Sequence, residues 1–265
     1  MTTIALPRGG AADVEVHPGH GVLRVSMIST RQTSPAEGKL VRAQVAEMFR
    51  LDEDLTPLYS RLRGDRARSW VKRKGAGRIF RAPTVFEDLV KLLLTTNCSW
   101  AATRGMVARL VEALGEEGPS GRRAFPRASA MAQRDAGFYR EVVRAGYRAE
   151  ALAALYQSVD SGQLGSDGWR HSPQIAEYLR EQVLALRGFG PYAAGHVLRL
   201  LGHHQDLCLD SWVRAKLARI NGRRKPLSDR AITRKYAEYG LWAGLVLWLD
   251  ITRDWHTHGG EAADS

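Results

Sequence analysis

Two neighbouring features of this chain have residue types and spacing that could do chemistry. In the first, Gly188 and Gly190 bracket Phe189, and Pro191 stands at the start of an amphipathic run. Glycines let the backbone approach a ligand closely, and the N–H groups at a helix start attract phosphate oxygens. The pattern is therefore typical of an anion-binding turn, although a plain glycine corner between two helices would have a similar sequence.

The second feature is Asp210, a single carboxylate among the apolar residues of the segment LCLDSW, residues 207–212. A carboxylate in such surroundings can accept a proton or stabilise positive charge that develops during a reaction. Aspartate is also a frequent helix N-cap, and residues 211–220 have helical periodicity. We expect both roles to be compatible, because a capping Asp can also face a cleft.

The elements that would position these residues are mostly helices. Apolar periodicity predicts one helix over residues 175–186 and another over 192–201, so the glycine turn lies in a helix-hairpin-helix. Further helices are predicted over residues 39–50, 85–95, 101–114, 128–132, 138–144, 149–158, 211–220, 227–238 and 241–254. Residues 1–12 are expected to be mobile, and residues 14–27 predict two short strands about a Pro-Gly-His-Gly turn.

These elements predict a mostly α fold, with two packed helical subdomains and a helix-hairpin-helix motif, preceded by a small, reduced antiparallel β lobe. We place an N-terminal lobe of short strands and helices at residues 1–78, a helical core at 79–256 and a flexible tail at 257–265. The Gly-Ala-Gly sequence at residues 75–77 would be the joint between lobe and core. A cleft between the helical subdomains would be the natural place for an active site.

The composition favours a polyanionic partner. The chain has 265 residues, with 39 Lys and Arg against 28 Asp and Glu, and a formal net charge of +11. Basic residues cluster within residues 61–78, 122–127 and 219–225, where phosphate contacts would give sequence-independent affinity. Because basic charge alone often marks only a solvated surface, it supports the anion-binding turn without identifying its ligand.

No metal site or cofactor is predicted. The two cysteines, Cys98 and Cys208, are too few for a four-cysteine iron–sulfur cluster or a disulfide framework. The eight histidines lack partners at ligand spacing. The chain has no apolar run of membrane-spanning length and no secretory signal. We therefore expect an intracellular protein, cytoplasmic and, in a bacterium, associated with the nucleoid.

Several of these segments, in the same order, resemble the helix-hairpin-helix superfamily of DNA glycosylases. The likeness runs from Pro83 to Trp255 and includes the glycine turn, the apolar helix after it and Asp210 as the catalytic aspartate. It is nearest to the 8-oxoguanine glycosylase branch, with the alkylpurine (3-methyladenine) glycosylases next. The resemblance implies a monomeric enzyme that binds double-stranded DNA containing a damaged base, flips that base out and removes it to start base excision repair.

The resemblance also implies roles for individual residues. The helix-turn-helix beginning at Thr95 would place Asn97 against the orphaned partner base, and the wedge loop near Arg144 would make Tyr147 the intercalating residue, beside Arg148. A structural monovalent ion could bind at the hairpin. The remaining DNA contacts would come from the hairpin residues Gly188, Phe189 and Gly190. The pocket for the extruded base would be lined by Tyr192, His196, Trp212, Gly244 and Trp248.

Departures from the family pattern narrow the expected chemistry. Tyr192 stands where bifunctional members carry a lysine nucleophile, and a tyrosine cannot form the Schiff base of a lyase. Gly244 replaces a glutamine that reads oxidised purines, Trp212 replaces a histidine, and Ala102 replaces an arginine that reads the partner base. With the aromatic pocket, these changes favour monofunctional release of an alkylated purine, because cationic bases gain from cation–π contact. Core packing alone would also explain Trp248.

Three other interpretations remain open. A glycosylase/lyase for oxidised purines could recruit another lysine, and Lys216 is the nearest one to Asp210 in sequence. A non-catalytic helix-hairpin-helix protein could bind damaged DNA, and would bind equally well after Asp210→Asn. A structural helical protein with an incidental basic surface would bind little DNA.

Overall fold

The computed structural model describes residues 1–162, 164–171 and 175–257, and the side chains of these residues except 160, 167 and 257. The chain forms two compact units. The first contains Met1–Asp52, Phe80–Gln174 and Glu181–Phe189, and the second contains Glu53–Ile79, Ile175–Arg180 and Gly190–Ser265. The chain passes between the units several times, for example after Asp52 and after Ile79. The predicted three-part division stays a prediction.

Most of the described residues are helical, as the sequence predicts. The strands are β1 (Thr2–Ala5), β2 (Ala11–Pro18) and β3 (Leu23–Ser29). The α-helices are α1 (Pro35–Met48), α2 (Thr56–Arg61), α3 (Ser69–Arg73), α4 (Val85–Thr95), α5 (Trp100–Leu114), α6 (Ala128–Ala132), α7 (Ala136–Glu141), α8 (Ala149–Asp160), α9 (Ala176–Leu184), α10 (Pro191–Leu201), α11 (Ser211–Ile220), α12 (Asp229–Tyr236), α13 (Ala243–Ile251) and α14 (Arg253–Thr257). Short 3₁₀ helices cover Arg66–Arg68, Gly146–Arg148, Ser166–His171 and Ala237–Trp242.

The first unit begins with an antiparallel sheet in the order β1-β2-β3, which confirms the predicted small β lobe. Its buried face includes Ile4 and Val14, which form one apolar cluster with Val41 and Val45 of α1. The expectation that residues 1–12 are mobile is wrong, because β1 pairs with β2 along its length and Leu6 is fully buried. Pairing with a later strand supplies hydrogen bonds that the short segment itself does not encode.

In the helical part of the first unit, most residues of α4 are buried. Its Leu89 and Leu93 are almost fully buried, and Thr84 caps its first turn by accepting the N–H of Glu87. Ser99 caps α5 in the same way, through the N–H of Ala102. Thr84 thus fixes the start of α4, and Ser99 fixes the end of the turn between α4 and α5, where Asn97 lies.

The second unit is built around α13, which is buried on nearly every side. Its residues pack in one cluster with Leu58 of α2, Leu217 of α11 and Tyr236 of α12. The predicted helix over residues 241–254 is interrupted, because Thr252 separates α13 from α14.

Two further expectations concern the C-terminal tail and membrane-spanning helices. The predicted frayed tail falls, from residue 258 onward, outside them. Across the described ranges, no helix combines the length and apolar character needed to cross a membrane.

Candidate active site

In the second unit, helix α10 begins with an open N-terminus. Gly190 is the N-cap residue in an extended conformation, and none of the described side chains caps it. Pro191 has no N–H, while the carbonyl of Gly190 accepts the first helical bond from Ala194. The N–H groups of Tyr192 and Ala193 belong to the first turn, where helix geometry offers them no intrahelical partner. This end of α10 therefore has the donors that an anion needs.

Asp210 is both the N-cap of α11 and a cavity residue. Its Oδ1 accepts the backbone N–H of Val213 at 2.7 Å, and its Oδ2 accepts the hydroxyl of Tyr192 at 3.1 Å. Burial and the neighbouring Asp210 charge raise the pKa of Tyr192, so this phenol stays protonated and remains a donor. Both carboxylate oxygens are thereby held in place.

These residues border a small cavity within the second unit, which we call the Asp210 cavity. It is lined by Tyr192, His196, Arg199, Leu207, Asp210, Trp212, Val213, Leu247, Trp248 and Ile251. Its volume is about 40 Å³, roughly that of one or two water molecules. A purine is larger, so a base could enter only if wall side chains moved. Tyr192 and Trp212, which are 37% and 41% exposed, are the least packed of the lining rings.

Two tryptophan rings line the Asp210 cavity, and a third packs against both of them. The ring centroids of Trp212 and Trp248 are 6.3 Å apart, and Trp255 contacts Trp248 edge-on at 5.8 Å. Sequence reasoning singled out Trp212 and Trp248 but missed Trp255. The signal was the spacing of Trp248, Ile251 and Trp255, which would share one side of the continuous helix predicted over residues 241–254 if that helix extended to residue 255.

The cavity lining also includes two nitrogen-rich side chains from α10, His196 and Arg199. The His196 ring meets the Tyr192 ring at 4.5 Å, and its Nε2 has no hydrogen-bond partner among the described residues. Burial, reinforced by the charge of Arg199, lowers the pKa of His196 to about 3, so the imidazole is neutral at physiological pH. It therefore adds no charge to the cavity.

Arg199 is a cavity residue that the sequence reasoning missed. It is only 5% exposed, and its Nη2 donates to the carbonyl of Asp206 at 2.8 Å and more weakly to that of Leu207 at 3.4 Å. Its guanidinium carbon lies 5.7 Å from the centre of the Trp248 ring, within cation–π range. An arginine inside the otherwise apolar helix 192–201 was the available signal.

Gly244, predicted as a base-pocket residue, does not line the Asp210 cavity. Its N–H donates to the carbonyl of His204 at 2.8 Å, and a Cβ at this position would lie 1.8 Å from the carbonyl oxygen of Asp206. The backbone at 204–206 therefore leaves no room for a side chain. This close backbone approach accounts for a glycine at position 244.

Lys216, the alternative nucleophile, does not line the Asp210 cavity either. Its Nζ is 2.5 Å from Oδ2 of Asp254, and the lysine is 8% exposed. It lines a different cavity in the second unit, of about 530 Å³, together with Arg68 and Asp250.

Three of the predicted DNA-contact residues lie together in the first unit, and with Thr96 we call them the Tyr147 cluster. Asn97 is exposed, has a φ of 48° and donates from Nδ2 to the Tyr147 hydroxyl at 3.2 Å. Tyr147 is 64% exposed. Arg148 is 6% exposed: Nε donates to Oγ1 of Thr96 at 3.1 Å, Nη2 donates to the Thr96 carbonyl, and the guanidinium lies over the Tyr147 ring. As placed, Arg148 supports this cluster from beneath.

The hairpin residues of the first unit are packed. Gly188 has a φ of +88°, and a Cβ there would lie 2.8 Å from Leu93 and 2.9 Å from Ala151. Phe189 is 6% exposed. A Cβ at Gly190, in contrast, would meet nothing within 4 Å. Of the three predicted hairpin contacts, Gly190 has the open space that a ligand would need.

Neither cysteine forms a disulfide. Within the described ranges, no group of three or more His, Cys, Asp or Glu residues could hold a metal ion. The expectations of no cofactor and of a monovalent ion at the hairpin stay predictions.

Neither a protein-family model nor a curated protein matches this sequence, but solved structures do. A 3-methyladenine DNA glycosylase from Archaeoglobus fulgidus superposes with a TM-score of 0.72 at 19% identity, covering 97% of this chain and 87% of that one. An 8-oxoguanine glycosylase/lyase from Clostridium acetobutylicum, bound to DNA with cytosine opposite 8-oxoguanine, has a TM-score of 0.69 at 18% identity, covering 96% and 88%.

A third match is a 3-methyladenine DNA glycosylase from Schizosaccharomyces pombe in complex with abasic DNA. It has a TM-score of 0.55 at 15% identity and covers 80% of this chain and 95% of that one. At these identities the likeness concerns the fold. The chain has the fold of the helix-hairpin-helix DNA glycosylases, as the sequence predicts.

Proposed function

We propose that this protein is a monofunctional DNA N-glycosylase that starts base excision repair. It would flip a damaged purine, with alkylated purines as the first candidate class, out of double-stranded DNA and hydrolyse its N-glycosidic bond. The observation that carries this proposal is Asp210, whose two carboxylate oxygens are held by Val213 and Tyr192 at an aromatic cavity. The fold shared with DNA glycosylases supports the same reaction class.

The chemistry asked of Asp210 follows from the bond that breaks. When the bond between C1′ and the base nitrogen breaks, its electron pair leaves with the base and positive charge develops on the sugar. A fixed carboxylate stabilises that charge, and it accepts a proton from the water whose oxygen bonds to C1′. The hydrogen bonds from Val213 and Tyr192 hold the carboxylate in advance, so little reorganisation is needed during the reaction.

The identity and protonation of Tyr192 support a monofunctional reaction. A protonated phenol cannot form the covalent imine of a lyase, and its donated hydrogen bond holds Asp210 instead. Lys216, the alternative nucleophile, is paired with Asp254 in another cavity.

The DNA contacts would come from features in each unit. In the second unit, the open start of α10 would bind a phosphate through backbone N–H groups. In the first, the exposed Tyr147 ring would fill the space left by the extruded base, with Asn97 beside it. The net charge of +11 would add affinity that does not depend on sequence.

The decisive experiment is single-turnover base release from duplexes that carry alkylated, oxidised or deaminated purines, with strand breaks scored with and without alkali. Asp210→Asn should slow release by roughly 10²- to 10⁴-fold, while Asn still caps α11 and preserves stability. Asp229→Asn is the matched control, because Asp229 is an exposed carboxylate in the first turn of α12 whose pairing with Arg214 is at the surface.

Each outcome has a clear reading. Release that requires Asp210, with strand breakage only after alkali, supports the proposal. Strand breakage without alkali, together with borohydride trapping of a covalent adduct, would mean that a lysine acts as nucleophile. Tight lesion binding with no release by the wild type would instead identify a non-catalytic binding protein.

A further inference from the structure

Arg199 brings a positive charge into the wall of the Asp210 cavity, and among the described residues it forms no ion pair with a carboxylate. Among the described residues, the hydrogen bonds of its guanidinium go to the carbonyls of Asp206 and Leu207, which are neutral acceptors. The Asp206 carboxylate is paired with Arg180 instead. A buried arginine held by backbone carbonyls keeps its charge available to whatever enters the cavity.

The other ionisable groups lining the cavity leave this charge prominent. Tyr192 and His196 are uncharged at physiological pH, because burial raises the pKa of the phenol and lowers that of the imidazole. Asp210 is the carboxylate of the lining, and it is bound to Tyr192 and to the first turn of α11. The cavity thus has a negative group for the sugar and a positive group near the Trp248 ring.

We propose that Arg199 makes this cavity select damaged purines that carry no charge over N3- or N7-alkylated purines, which are cationic. The proposal rests on the proposed glycosylase function and names its substrate class. Within the alkylated purines it favours adducts that close an uncharged ring, such as 1,N6-ethenoadenine. Arg199 would be a specificity-determining residue that acts through its charge.

Two physical effects point the same way. A cationic base would be repelled by Arg199, and the guanidinium already occupies cation–π range of Trp248, where such a base would gain most. An uncharged purine leaves with the electron pair of the broken bond and is therefore an anion until solvent protonates it. A nearby guanidinium stabilises that anion, whereas a cationic purine leaves neutral and gains nothing from it.

The test compares two charge classes of lesion in the same full-length protein. Release rates would be measured for 1,N6-ethenoadenine and hypoxanthine, both uncharged, and for 7-methylguanine, which is cationic. Arg199→Met removes the charge at similar length, and Arg199→Lys keeps it. For Arg199→Met, the release ratio of uncharged to cationic lesion should fall by about tenfold or more, as expected for a unit charge a few ångströms away. Arg199→Lys should stay within about threefold of the wild-type ratio, since it preserves the charge.

Partial unfolding of a variant does not change the ratio of the two release rates, because both rates are proportional to the same fraction of folded protein. An unchanged ratio in Arg199→Met, or the same fall in Arg199→Lys, would overturn the proposal. If the wild type releases no base at all, the proposed function fails separately. Charge selection is then tested by equilibrium binding of the same lesion duplexes. The proposal then requires that the wild type bind the uncharged lesions more tightly than the cationic one, and that Arg199→Met lose this preference. Equal binding of both lesion classes by the wild type would overturn the proposal.

Discussion

The Asp210 cavity of the second unit and the Tyr147 cluster of the first each set an arginine against an aromatic ring. Arg199 lies 5.7 Å from the Trp248 ring, and Arg148 lies 4.5 Å from the Tyr147 ring. Both arginines are buried and donate to backbone carbonyls. The rings differ, because Trp248 lines a cavity while Tyr147 projects into solvent.

The difference shows which member of each pair is available to a ligand. In the Asp210 cavity the arginine itself lines the space, so its charge would act on an entering base. In the Tyr147 cluster, Arg148 donates hydrogen bonds to Thr96 and packs against the Tyr147 ring, so the exposed ring would contact the DNA. A similar arginine–aromatic contact would therefore set the charge of the Asp210 cavity in one unit and hold the exposed tyrosine in position in the other.

The largest expected effect would test whether Arg148 is structural. Arg148→Met should lower the free energy of unfolding by about 2–4 kcal/mol, because it removes a buried guanidinium with its hydrogen bonds and leaves the Thr96 carbonyl with only the longer bond from the Tyr147 hydroxyl. Urea unfolding measures it, with the exposed Arg104→Met as the control, expected to change stability by less than about 0.5 kcal/mol. Unchanged stability with uniformly weaker DNA binding would make Arg148 a DNA contact, as the family resemblance implies.

The next effect would test whether the Asp210 cavity excludes a second cation. His196 has its pKa lowered from 6.5 to about 3. As the pH falls below 6.5, the His196 imidazole becomes protonated in the unfolded chain, whereas in the folded protein it stays neutral down to about pH 3. Acid therefore favours the unfolded state and lowers the free energy of unfolding. Between pH 6.5 and 4.5 this loss is about 2–3 kcal/mol. His196→Gln should escape it in unfolding measured across that range, while His20→Gln, at an exposed site, should follow the wild type.

The hairpin glycines sharpen the comparison, since Gly188 belongs to the first unit and Gly190 to the second. Gly188→Ser should cost about 1–3 kcal/mol of stability, because its φ is positive and Leu93 and Ala151 crowd the new Cβ. Gly190→Ser should preserve stability, since serine is a good N-cap. If DNA phosphate approaches α10, Gly190→Ser should weaken duplex binding severalfold in a titration at fixed salt; undiminished affinity would argue against that contact.

The smallest expected effect concerns Tyr147. Tyr147→Ala should weaken binding to a lesion duplex by about 1–2 kcal/mol, the range of one lost aromatic stacking contact, and leave stability nearly unchanged because the ring is exposed. Fluorescence anisotropy with a labelled duplex measures it, and Tyr178→Ala, at another exposed tyrosine, is the control. Equal losses of duplex affinity in both variants would mean that Tyr147 contributes no more to DNA binding than another exposed tyrosine, and would contradict its role as a DNA contact.

The local sequence pattern predicted the helices that carry the candidate site. The features that it missed depend on strand pairing and on close packing of backbone segments that are distant in sequence. Helix α4 and helix α11 have the predicted bounds, because capping residues and apolar periodicity stand in their own sequence. Strand β1 was missed because its partner supplies its hydrogen bonds. Asp210, Tyr192 and Trp248 line one cavity, whereas Gly244, which was predicted to join them, does not line it, because the 204–206 backbone, remote in sequence, fills its space.

Asp210 ties the proposed chemistry to the architecture of α11, and this has an evolutionary consequence. A lineage that no longer needed the reaction could not discard the side chain freely, since replacing a capping Asp by Ala costs about 1 kcal/mol. Asparagine would keep the cap and lose the carboxylate. We therefore expect drift away from catalysis in proteins built like this one to pass through asparagine, so that an inactive descendant would differ from its ancestor by a single amide.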